Sequence, residues 1–150
     1  MCQNTSYTII KPEKSLEGGK VMILKKLFSP NHIGNLEIKN RVILPSMCTI
    51  FADEGGYVSE KLINYHVARA KGGCGLNIVE IASVHPSSKS PKVLGLYDDC
   101  FLPGLTKLAN SIKNAGGKAC IQLWHAGRQT NSVQTGMPIV APSSIPCPLC

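Results

Sequence analysis

The strongest constraint on this chain is a strand and helix pattern that repeats at an interval of roughly 35 to 40 residues. Arg41-Val42-Ile43-Leu44 is a brief run with β-branched residues stopped by Pro45, the signature of a first buried strand that ends in a loop. Beyond the Gly55-Gly56 turn, Ser59 stands as the cap of a helix over residues 60 to 71. Its apolar positions Leu62, Ile63, Val67 and Ala70 recur at helical spacing, and Gly72-Gly73 stops it. Leu76-Asn77-Ile78-Val79-Glu80-Ile81-Ala82 follows as a second strand, near-continuously apolar like a parallel strand covered on both faces. A second helix over residues 101 to 114 gathers Leu102, Leu105, Leu108, Ala109 and Ile112 on one side and ends at Gly116-Gly117. Residues 118–123 then form a third strand, also expected to be buried.

Strand, helix, strand, helix, strand builds an α/β architecture from right-handed crossovers. Ahead of it, Ile33-Gly34-Asn35-Leu36 is a turn signal inside short β alternation and predicts a small hairpin. Three parallel strands begin either a doubly wound sheet or a (β/α)8 barrel. No glycine-rich phosphate turn follows the first strand, which counts against a dinucleotide-binding sheet. The expected fold class is therefore α/β, the amino-terminal part of a (β/α)8 TIM barrel with a short β-hairpin before the first barrel strand. A complete barrel takes about 250 residues, so this chain reads as a fragment. Residues 1–24, polar and lysine-rich without periodicity, read as a loose N-terminal extension, and residues 25–150 as the incomplete barrel domain.

Composition removes several function classes. With 43% hydrophobic and 17% charged residues the chain is globular in character. It carries neither an apolar run of the roughly 20 residues that a membrane helix needs nor a secretory signal at its start, so the expected address is the cytoplasm, without a membrane partner. The net charge of +7 comes from dispersed lysines, and aromatic residues make up 5%, so no basic stripe with stacking platforms suggests nucleic acid. Seven cysteines at irregular spacing argue for reduced thiols. Cys147 and Cys150 have metal-type spacing but no second pair to complete four ligands, and no metal is expected.

In a barrel of this kind, chemistry sits at the carboxyl ends of the strands. Those ends are Pro45-Ser46-Met47-Cys48, Glu80-Ile81-Ala82-Ser83 and Gln122-Leu123-Trp124-His125. A buried Gln122 needs a partner with both donors and acceptors, which a heteroaromatic ring supplies and which neighbouring backbone also supplies.

At these strand ends the sequence resembles the old yellow enzyme family of FMN-dependent oxidoreductases. The likeness begins at Leu27-Phe28-Ser29-Pro30 and continues through Ile33-Gly34-Asn35-Leu36 and Lys39-Asn40-Arg41-Val42. It takes in Gln122-Leu123-Trp124-His125-Ala126-Gly127-Arg128 and ends at Ala141-Pro142-Ser143. Tyr65-His66-Val67-Ala68-Arg69-Ala70-Lys71-Gly72-Gly73-Cys74 and Gly95-Leu96-Tyr97 look most like the anaerobic bacterial branch with 2,4-dienoyl-CoA reductases, enoate reductases and the NADH:flavin oxidoreductases of bile-acid metabolism.

The resemblance implies that Pro45, Ser46, Met47 and Cys48 line the flavin, that Ile81 meets it through its backbone, and that Gln122 bonds the pyrimidine edge. Cys48 is also readable as a small buried hydrophobe. His125 either faces the substrate or anchors its loop, and Arg128 either lends charge near the cofactor or braces a loop by a salt bridge. Ile50 stands where relatives carrying this cysteine often have a substrate-side tyrosine.

The implied activity is FMN-dependent passage of hydride from NAD(P)H to an activated C=C bond of an enone, enoate or dienoyl thioester. The family's catalytic residues would lie beyond residue 150, as would the 4Fe-4S cysteines and FAD domain of the dienoyl-CoA reductase branch. The full-length protein is open to homo-oligomer formation. The rival expectation is a truncated, non-catalytic remnant.

Overall fold

The computed structural model describes residues 24–148; most of the expected N-terminal extension, and Cys150 of the terminal cysteine pair, lie outside the described residues. In chain order the elements are α1 (Lys25–Phe28), β1 (Asn31–Ile33), β2 (Leu36–Ile38), β3 (Ile43–Leu44), α2 (Glu60–Lys71), β4 (Leu76–Ser83), β5 (Leu94–Gly95), α3 (Leu102–Asn114), β6 (Lys118–Trp124) and α4 (Ser132–Thr135). The hairpin forms where expected, with β1 antiparallel to β2 and Gly34 supplying the positive φ of its turn, +56°.

The second sheet is parallel and centred on β4. β3 pairs with its first two residues and β5 with its last two, while β6 runs along β4 from Leu76 to Ser83. Helices α2 and α3 cover one face. Ser59 accepts the Leu62 amide at 3.0 Å and so caps α2, as its place before an apolar-periodic run requires. Leu62, Ile63 and Ala70 of α2, with Leu108 and Ile112 of α3, pack on Val79 and Ala82 of β4 to form the core. Each fully buried leucine or isoleucine there contributes about 2–3 kcal/mol of transfer free energy. His66 lies on the same buried face of α2, 2% exposed, and among the described residues neither ring nitrogen has a hydrogen-bond partner. Burial, helped by the Arg69 charge, pushes its pKa down to about 4.

The expected burial of the third strand needs correction, and two further features were not anticipated. The third strand is not buried: in β6 only Ala119, Ile121 and Trp124 are half-covered and the rest is exposed, because β6 is an edge strand with helices on one side only. Leu102 is 52% exposed, since α3 begins there and its first turn projects past the core. β5 was not foreseen. Two residues are too few for a periodicity, and β5 exists because Gly95 lets the chain pass against Phe101: a Cβ at Gly95 would come within 2.3 Å of that ring. Among the described residues no helix is long and apolar enough to cross a membrane, and no group of three metal-ligating side chains assembles.

Candidate functional site

The site is organised by an irregularity in β4. Val79 pairs with Ile121 and Ile81 with Gln122, so Glu80 is an extra residue on the β4 side of the ladder. Ahead of this bulge the residue packed on the helices is Val79; after it, Ala82 takes that role. The side-chain alternation has thus shifted by one position. Because Ile121 packs toward the helices, Gln122 points to the opposite face, and the shifted register sets Ile81 beside it on that face.

Ser46, from the loop after β3, completes this group by donating its hydroxyl to Gln122 Oε1 at 2.7 Å. The bond holds the amide in one orientation, and among the described residues nothing takes the Nε2 donors. Ser46, Ile81 and Gln122 therefore lie together; Gln122 is exposed rather than buried, and its partner is a side chain from another strand end rather than neighbouring backbone. Pro45, Met47 and Cys48 flank Ser46 on the same loop, all three exposed; Cys48 is a free thiol and is not the small buried hydrophobe of the alternative reading.

The loop is held from behind. Glu80 is 1% exposed, and its Oε2 accepts both the backbone N–H and the hydroxyl of Thr49 at 2.5 Å. Thr49 Oγ1 in turn accepts the Phe51 N–H at 3.2 Å, and Ser59 donates to the Phe51 carbonyl. Between the two grips Ile50 has φ +58°, a left-handed conformation costing a β-branched residue on the order of 1–3 kcal/mol.

His125, just past β6, is tied into a second hydrogen-bonded group. Its Nδ1 accepts the Gly127 N–H at 3.0 Å, which leaves Nε2 to donate to Ser87 Oγ at 3.0 Å when the ring is neutral. Ser87 then donates to His85 Nδ1 at 2.9 Å. These bonds anchor the loop after β6 to the loop after β4. Arg128 braces a loop through the carbonyls of Ile145 and Pro146 rather than through a salt bridge. Thr49, His85 and Ser87 escaped the sequence reading, and Glu80, though named at a strand end, was given no role; a carboxylate inside the largely apolar run of residues 76–82 was the signal that could have singled it out.

The sequence pattern of the NADH:flavin oxidoreductase / NADH oxidase family matches residues 26–145. The chain belongs to that family. Among the family's relatives, an NADH oxidase of Thermoanaerobacter brockii is 46% identical over 124 residues, which are 81% of this chain and 19% of that protein. Of solved structures, an old yellow enzyme homologue from Zymomonas mobilis superposes with a TM-score of 0.74 at 29% identity, over 80% of this chain and 34% of that one. A 2-naphthoyl-CoA reductase in complex with 2-naphthoyl-CoA superposes with a TM-score of 0.70 at 33% identity, over 75% of this chain and 17% of that one. The chain thus spans between about a sixth and a third of the length of these relatives, and its α/β sheet corresponds to part of an old yellow enzyme TIM barrel.

The residues on the open sheet face fit a flavin. An isoalloxazine offers a flat ring with carbonyl acceptors along one edge; the chain presents amide donors on Gln122 held by Ser46, with Ile81 beside them and Met47 exposed nearby.

Proposed function

We propose that this chain forms one wall of the FMN site of an NAD(P)H-dependent oxidoreductase that reduces an activated C=C bond. The observation that carries the reading is the Ser46–Gln122 pair set beside Ile81 by the β4 bulge. When bound, FMN supplies the hydride chemistry between NAD(P)H and substrate.

The chain's own residues bind and orient. Gln122 directs its Nε2 donors to the pyrimidine carbonyls, where fixed dipoles favour the negative charge that reduction brings. Ser46 keeps that amide from flipping, Ile81 meets the ring through its backbone, and Pro45, Met47 and Cys48 close the edge from the loop. His125, its ring fixed at both nitrogens, borders the substrate side.

The substrate class we favour is an enone, enoate or unsaturated acyl thioester. The likeness to a reductase solved with 2-naphthoyl-CoA supports the thioester. The great length of two of the relatives, of which the chain covers 19% and 17%, supports further domains holding 4Fe-4S and FAD.

The test is the full-length protein purified from cells. It should be yellow, release FMN on denaturation, and oxidise NADH or NADPH faster when an enone or a 2-enoyl thioester is added. A colourless protein that FMN does not reconstitute would end this reading.

A further inference from the structure

We propose that Glu80 is a positioning residue for the loop of residues 45–48, acting through Thr49; the proposal rests on reading that loop as part of an FMN site. A carboxylate is an expensive side chain to bury, and it is tolerated only where hydrogen bonds replace its water. At Glu80 those bonds go to one place. Oε2 takes both donors of Thr49, 31 positions earlier in the chain, while Oε1 has no partner among the described residues. The group is thus dedicated to the loop and not to its own strand.

The bulge makes this reach available. As the extra residue of the ladder, Glu80 leaves the alternation that sends Val79 and Ala82 into the core. One irregularity therefore has two effects at one site: it sets Ile81 beside Gln122, and it aims a carboxylate at the turn that ends the Ser46 loop.

What the carboxylate holds is a strained turn. Thr49 relays the grip to Phe51, Ser59 grips Phe51 from the other side, and Ile50 between them is kept at φ +58°. Freed from Thr49, the loop would let Ile50 relax to negative φ, and the backbone carrying Met47 and Cys48 would swing with it. The Ser46 hydroxyl would then lose its 2.7 Å bond to Gln122.

The experiment uses the full-length protein and the variants Glu80→Ala, Thr49→Val, Thr49→Ser, and Glu80→Ala combined with Ile50→Gly. In the FMN-free protein, amide hydrogen exchange at Thr49, Ile50 and Phe51 should speed at least tenfold in Glu80→Ala, with β4 itself still protected. FMN dissociation constants, read by fluorescence quenching, should rise at least tenfold in Glu80→Ala and severalfold in Thr49→Val, and stay near wild type in Thr49→Ser. Ile50→Gly should recover much of the loss in the Glu80→Ala background, because glycine adopts the left-handed turn without being held there. Thr49→Val serves if Glu80→Ala does not fold.

Equal FMN affinity in Glu80→Ala and wild type, or no recovery by Ile50→Gly, overturns the proposal. Should wild type bind no FMN while Glu80→Ala still frees the three amides, the flavin reading fails and the positioning of the loop stands.

Discussion

Ser46 and Gln122 lie 76 positions apart in the chain and 2.7 Å apart in space. They meet because β3 and β6 flank β4 on opposite edges, and the strand between them is short enough side to side for a loop from one edge to reach the other. The bond orients the Gln122 amide, so the two residues should be unequal in their effect on binding.

Replacing Gln122 by Leu removes the donors and should raise the FMN dissociation constant about ten- to a hundredfold, the range of a hydrogen bond to a group that gains charge. Ser46→Ala removes only the orienting contact and should cost about 0.5–1 kcal/mol, or two- to fivefold. In the double variant the Ser46 effect should vanish, and titrations of all four proteins would show it.

His66 makes stability fall in mild acid. Its folded pKa, about 4, lies below the ordinary 6.5, so between these values the unfolded chain binds a proton that the folded chain refuses. Stability is full above about pH 6.5, declines as pH falls through the window, and levels off below about 4, with a loss of up to about 3 kcal/mol. Urea unfolding of His66→Leu across that range should show a flatter dependence than wild type.

Ile50→Gly should stabilise the protein by about 1 kcal/mol. The left-handed backbone at this position suits glycine, and the side chain, 60% exposed, loses little burial. A raised urea midpoint with an unchanged slope is the expected result; a lowered midpoint would mean that the turn carries no strain.

Gly95→Ala should do the reverse. The added methyl would lie within 2.3 Å of the Phe101 ring, and overpacking of this kind costs about 1–3 kcal/mol. β5 and the start of α3 would separate first, visible as faster amide exchange at Leu94 to Leu96 than in α2.

The two helices and the two longer strands were legible because their signals are local and repeated. Ser59 before a run with apolar residues at helical spacing, and Gly72-Gly73 after it, specify α2 to the residue. The strand ends with Ser46, Ile81 and Gln122 could be singled out from the motif they carry. What periodicity does not report is coverage: residues 118–123 look buried by composition, and their exposure depends on which strand lies at the sheet edge.

The sequence by itself determined the order of elements, the parallel pairing that their crossovers impose, and the residues brought to one end of the sheet. Only the tertiary structure decided how those residues are aimed. The β4 bulge has no periodic signature, since one unpaired residue shifts the alternation without changing composition, and the grip of Glu80 on Thr49 joins two elements whose separation in the chain encodes no distance. Side-chain orientation at the site is set by that register, a property of strands lying together and not of either strand alone.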